Sequence, residues 1–101
     1  GDYTHEFGEV TQGIAADDAG GYFIDASLLL REINRTLGWQ LPIHGPRTLN
    51  GLILEHLEFI PQANVGLEID GYRIEILAAR DNAVRRARVS RKPSPGAPED
   101  E

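Results

Sequence analysis

The spacing of hydrophobic positions changes along the chain, and each change predicts a different element. Tyr22-Phe23-Ile24-Asp25 is aromatic and β-branched and follows Gly20-Gly21, which predicts a short strand. Leu30, Ile33 and Leu37 then recur at i, i+3 and i+7, with Leu29 beside them and Arg31, Asn34 and Arg35 opposite. This pattern predicts a helix over 28–37, with a hydroxyl cap from Ser27 and a left-handed stop at Gly38 onto which Trp39 folds back. Leu41-Pro42 and Gly45-Pro46 punctuate a loop. A second helix is predicted to begin near Thr48 and to stop before Pro61. At about 100° per residue, Leu49, Leu52, Ile53, Leu57 and Ile60 share one side of it, and Glu55 and Glu58 face away.

Beyond the second helix the period drops to two. Val65, Leu67 and Ile69 alternate with Gly66, Glu68 and Asp70, and Asp70-Gly71 is a hairpin signal, since a type I′ turn needs positive φ at both central positions. Tyr72, Ile74 and Ile76 continue the buried face, with Arg73 and Glu75 outward. Asp81-Asn82 turns the chain into a last strand over 84–89, whose arginines read as protection for a sheet edge. The predicted fold is α+β, in the order β-α-α-β-β-β: an antiparallel four-stranded sheet with two helices on one face.

Both ends of the chain lack such patterning. Residues 1–21 alternate small, polar and acidic types and read as a lead-in, ordered at most in part. Residues 91–101 offer no apolar residue to anchor them and read as a disordered tail. That leaves 22–90 as the domain, a small core that leans on a neighbour for some of its stability. Met is absent even at position 1, which reads as a piece of a longer chain. The longest aliphatic run, Leu28-Leu29-Leu30, is far below the roughly 20 residues of a membrane helix. No secretory signal is visible. With no Cys in 101 residues, disulfides, thiolate zinc sites and cysteine nucleophiles are excluded.

The formal charge of −6 is unevenly placed. Residues 1–25 hold six acids and no base, and Glu99, Asp100 and Glu101 add three more acids. The middle therefore carries seven acids against ten bases, with Arg85, Arg86, Arg88, Arg91 and Lys92 crowded together. Nucleic acid is a poor partner for this arrangement, because the bases lack interleaved aromatics that would stack nucleotides.

Several residues are candidates for chemistry. His56 is placed within the apolar arc of the second helix, and His44 and His5 have no ligand partner at helical or strand spacing. Asp17, Asp18 and Asp25 are weak metal-ligand candidates; they lack the alternate acids around a glycine that a calcium or magnesium loop uses, and a solvated acidic linker is the alternative. His44-Gly45-Pro46-Arg47-Thr48 leads into a helix. Free N–H groups with Arg47 and Thr48 would hold an anion there, or else Thr48 is an ordinary cap and Arg47 faces solvent. Gly51 costs a helix up to about 1 kcal/mol against Ala. Its place on the outer face beside Leu54 suggests a notch that admits a partner surface, or tolerance near a helix start. No nucleophile, base and orienter assemble, and there is no phosphate-binding glycine loop. The residues read as a binding or regulatory module, not an enzyme.

Taken in order, Arg31-Glu32-Ile33-Asn34, Trp39-x-Leu41-Pro42, Arg47-Thr48-Leu49-Asn50-Gly51-Leu52-Ile53-Leu54-Glu55, Ile60-Pro61 and the Asp-Gly hairpin resemble the CorC/HlyC transporter-associated domain, over about residues 7–89. Phe7-Gly8-Glu9-Val10 is similar to the segment that joins a paired CBS module to that domain. The chain departs from the family in three places. Asp25-Ala26 replaces Asp-Gly and should need no positive φ. Glu58 and Phe59 continue the second helix where a Gly is usual. Asn64 takes the place of a turn Gly.

The resemblance implies a non-catalytic accessory domain on the cytoplasmic side of the bacterial inner membrane, within a hemolysin-like magnesium and cobalt efflux protein. Its partners would be the protein's own CBS and transmembrane domains or a second copy of itself, and the membrane only through the parent protein. Gly51, Leu54 or a strand edge would supply contact area, and Arg85, Arg86 and Arg88 charge complementarity. The family fold is similar to a flavoenzyme FAD-binding subdomain. A small-ligand sensor for a nucleotide, FAD or a divalent cation is therefore the alternative, although no cofactor is expected.

Overall fold

The structure, a computed structural model, describes residues 9–17 and 20–91. Eight elements follow in order: β1 (Glu9–Thr11), β2 (Ile14–Ala16), β3 (Tyr22–Asp25), α1 (Leu30–Leu37), α2 (Leu49–His56), β4 (Gly66–Ile69), β5 (Tyr72–Arg80) and β6 (Ala83–Arg91). The strands form one antiparallel sheet in the order β1-β2-β3-β6-β5-β4. Six strands replace the four expected, because the lead-in contributes two of them. Ile14 pairs with Ile24 and Ala16 with Tyr22, and Ile14 is buried in the core.

The last strand is not an edge. β6 lies between β3 and β5: Arg86, Ala87, Arg88 and Val89 pair with β3 on one side, and β5 runs along the other from Ala83 to Arg91. Its arginines lie on a face, not along a margin, and edge protection is not their role. Burial alternates along the central part of the strands: Ile24, Ile74, Ile76, Ala87 and Val89 are buried, while Phe23, Glu75 and Arg88 are only partly covered. Leu30 and Ile33 of α1 and Leu49, Leu52 and Ile53 of α2 join the same buried cluster as the isoleucine face. Both helices thus cover one side of the sheet.

Local chemistry moves both helix boundaries. Ser27 does not cap α1. Its N–H and hydroxyl donate to Asp25 Oδ1 at 2.9 and 2.8 Å, a local turn that delays the helix to Leu30. The Leu30 N–H is satisfied instead by the Arg47 carbonyl at 2.7 Å. At the other end Gly38 takes φ 70°, and the N–H groups of Gly38 and Trp39 both donate to the Asn34 carbonyl, the left-handed stop expected of it.

α2 starts as predicted, with Thr48 Oγ1 accepting the Gly51 N–H at 3.1 Å, but it ends at His56. Leu57 is already extended. The helix therefore does not run on to Phe59 and Ile60, the stretch that the expected stop before Pro61 would have included. Those side chains stand 59% and 62% exposed, against the expectation that Ile60 shares the buried face.

The turns follow their residue types. Asp70 and Gly71 have φ 52° and 89°, Asp81 and Asn82 have 57° and 62°, and Asn64 has 70°, all in the left-handed region the turns require. Asp25 and Ala26 are absent from the positive-φ residues, in agreement with the Asp-Ala departure.

Candidate functional site

The two helix starts are laced together. The segment before α1 and the segment before α2 run antiparallel, with Leu29 bridged to Thr48. The Leu49 N–H donates to the Leu28 carbonyl at 3.2 Å, and the Asn50 N–H to the Ala26 carbonyl at 2.8 Å. With Gly51 N–H bound to Thr48 Oγ1, the first-turn donors of α2 are all engaged by this chain. An anion at Arg47-Thr48 would need those donors free, so the helix start holds the fold together in place of a ligand.

Gly51 is explained by packing. A Cβ built there would lie 3.0 Å from Pro46 Cβ and 3.4 Å from Thr48 Oγ1. The expected notch is filled by the chain's own Pro46, and Leu54 is half-buried against the core. The pair therefore does not form an open recess.

Two asparagines carry structural work that residue spacing gave no sign of. Asn34 Oδ1 accepts the Leu41 N–H at 2.8 Å and its Nδ2 donates to the Leu41 carbonyl at 3.0 Å, which pins the loop after α1. Asn50 Oδ1 accepts the Val84 N–H at 2.7 Å, next to an irregularity in the β5–β6 pairing, where the ladder leaves that donor to a side chain. Tyr72 Oη accepts the Gln40 N–H at 2.8 Å. Trp39 packs between Tyr22 and Tyr72, with ring centroids 5.5 and 5.1 Å away. The motif residues Asn34, Trp39, Thr48, Asn50 and Gly51 thus serve shape.

The acidic candidates do not converge. Asp17 Oδ2 lies 2.5 Å from Arg88 Nε, Asp25 accepts from Ser27, and Asp18 lies outside the described residues. Among the described residues no three His, Asp or Glu side chains gather as a metal site. His56 is exposed, with its ring Nδ1 3.1 Å from the Leu52 carbonyl. It is therefore not in the apolar arc where the sequence placed it. His44 is exposed in the loop, and His5 lies outside the described residues.

The three arginines of β6 have separate situations. Arg88, 20% exposed, lies between Asp17 and Glu75. Arg85 reaches the Arg80 carbonyl and Asp81. Arg86 is exposed and stands opposite Asp25 in register. On the helical side, a groove of about 360 Å³ has Leu29 and Ile43 in its walls with Arg31 and Arg47. A broader groove of about 500 Å³ adjoins it along Gly45 and Pro46, with Leu52, Glu55, Ile69 and Asp70. No helix among the described residues is long and apolar enough to cross a membrane.

Comparison with known proteins places this architecture. The chain is 40% identical over 90 residues to a UPF0053 protein of Haemophilus influenzae, which covers 88% of this chain and 21% of that protein. It is 37% identical over 90 residues to the UPF0053 inner membrane protein YfjD of Escherichia coli, again 88% of this chain and 21% of the relative. The chain thus spans about a fifth of the length of these relatives.

Among solved structures, a functionally unknown conserved protein from H. influenzae superposes with a TM-score of 0.70 at 44% identity, covering 74% of this chain and 93% of that one. A CorC_HlyC domain of a Xylella fastidiosa hemolysin, solved with Mg²⁺ and Mn²⁺, superposes with a TM-score of 0.66 at 23% identity, covering 78% and 96%. A model of the CorC_HlyC family, described as a transporter associated domain, matches residues 15–93. With the fold, the ordered motifs and this match in agreement, the chain belongs to the CorC_HlyC family of transporter-associated domains.

Proposed function

We propose that this domain is a non-catalytic docking module of a larger inner-membrane ion transporter of the magnesium and cobalt efflux type. In this reading it sits on the cytoplasmic side, against the parent protein's own CBS and transmembrane domains or a second copy of itself. One observation carries the proposal: the motif residues are spent on holding two helices to a sheet, and the charged residues are spread over the outside. A surface of that kind works by contact, and its shape is what the motif preserves. The inner membrane relative supports the setting.

The test is the parent protein with the segment equivalent to residues 14–91 removed, reconstituted in vesicles beside the intact protein. Efflux of Mg²⁺ and Co²⁺ and its response to ATP are measured for both. The deletion is expected to change transport or its ATP response while leaving the protein inserted and monodisperse. Unchanged behaviour in both assays would overturn a regulatory role.

The X. fastidiosa neighbour solved with Mg²⁺ and Mn²⁺ favours one second reading, a divalent-cation sensor. Calorimetry of this chain with Mg²⁺, Mn²⁺ and Co²⁺ separates the two. Sub-millimolar binding lost on Asp25→Ala would support the sensor, and heats indistinguishable from dilution would remove it.

A further inference from the structure

The smaller groove on the helical side combines two features that the core does not require. It is lined by the buried Leu30, by Leu29, Ile43 and Pro46, and by Arg31 and Arg47. Leu29 and Ile43 stand 41% and 52% exposed, so aliphatic surface is open to water there. Among the described residues neither Arg31 nor Arg47 makes an ion pair or a side-chain hydrogen bond. Glu32, the acid next to Arg31, is paired with Arg35 instead.

The fold keeps the two arginines together. The Leu30 N–H donates to the Arg47 carbonyl at 2.7 Å, and Leu29 is bridged to Thr48. Arg31 and Arg47 therefore leave the backbone within one residue of a shared hydrogen bond, where both helix starts are tied down. Two guanidiniums rooted that close repel each other when bare, and attract the same carboxylate when one lies between them. This charge comes from the side chains alone. The first-turn donors of α2 stay engaged by the chain.

Glu55 limits what fits. Gly45 lines both grooves, and a Cβ built on it would lie 3.6 Å from Glu55 Oε2. A ligand with a second negative charge near this junction would meet a carboxylate. Polyanions are disfavoured for that reason (nucleotides among them), as is an anionic bilayer laid over the groove. A phosphate monoester, with up to about two charges at neutral pH, fits less well than a carboxylate. The volume of about 360 Å³ lies within the range of small-molecule sites.

We infer that this groove binds an aliphatic monocarboxylate, with its head between Arg31 and Arg47 and its chain against Leu29, Ile43 and Pro46. Binding there covers the open aliphatic surface and neutralises the paired guanidiniums in one step. The inference goes beyond the docking role and does not rest on it, because every group it uses belongs to this chain.

Titration of the full chain with octanoate, followed by amide NMR shifts, tests it. The largest shifts are expected at residues 29–31 and 43–47. Acetate and octanol, which carry the head and the chain alone, should each bind about tenfold more weakly. Arg31→Gln and Arg47→Gln should each weaken octanoate about fivefold and leave octanol unchanged. Ile43→Ser should weaken both. Neither arginine side chain has a partner to lose among the described residues, so both variants should keep the spectrum of the folded chain. Absent or scattered shifts, octanol as tight as octanoate, or octanoate affinity unchanged in both arginine variants would overturn the inference. So would cosedimentation with phosphatidylglycerol vesicles that both arginine variants abolish, since the groove would then serve a lipid surface.

Discussion

A missing methyl group explains Gly51 better than any missing partner. In a helix, Gly is worse than Ala by up to about 1 kcal/mol, so the residue is retained against its propensity. The cause is Pro46, whose rigid ring would meet a Cβ at 3.0 Å. Gly51→Ala should therefore lower the urea midpoint without changing the slope. In a Pro46→Gly background the same change should raise it, a reversal that only contact between the two positions produces. A stabilised Gly51→Ala in the parent chain would show that the loop gives way freely.

Asn34 and Asn50 make the same point with polar groups. The sequence places Asn34 opposite an apolar stripe and therefore toward solvent, yet it clamps Leu41 seven residues on. Hydrophobic periodicity records which side of a helix is dry. It holds nothing about a loop that returns to the wet side and needs its backbone groups paired.

Among the elements, β2 is where patterning and structure part most clearly. The segment 9–16 contains two alanines and a glycine and alternates weakly, so it carries little strand propensity of its own. Its pairing comes from β3, whose outer edge would otherwise be open, and strand preference depends strongly on such context. If β2 belongs to the folded unit, Ile14→Ala should cost about 2–5 kcal/mol, as at other buried aliphatic positions. Chemical denaturation reads that directly, and a loss within error of zero would return the segment to the status of a linker.

β6 was misread for a related reason. A cluster of arginines along a strand describes the open face of a sheet as well as a protected edge. Only the backbone partners on either side distinguish the two, and those partners are distant in sequence. The shortened α2, which ends at His56 with Leu57 extended, has no such explanation in strand pairing.

At the scale of the molecule, one buried cluster includes residues of β2 to β6 and both helices. Such a core should unfold as a unit. Trp39, the single tryptophan, is 7% exposed and packed between tyrosines of β3 and β5, so its emission reports on the sheet and the helical layer together. Fluorescence and far-UV circular dichroism should give coincident urea transitions. Separate midpoints would mean that the β1–β2 hairpin or a helix melts on its own. On the outside of this unit, Arg88 lies with Asp17 and Glu75 on the open face of the sheet, and the grooves on the helical side are lined by both acidic and basic side chains. The motif residues supply a firm body beneath that surface.

The amino-acid sequence alone determined the order of the main elements, the left-handed turns, the Thr48 cap, the buried faces of the core strands and the family. The turns, the cap and the buried faces are written in spacing or residue type over short stretches of neighbouring positions, and the family in the order of several such stretches along the chain. The strand count, the interior position of β6, the reason for Gly51 and the engagement of the α2 start were decided by tertiary structure. In each of those cases the deciding partner is a backbone group or a ring brought close by the fold, and local spacing carries no record of it.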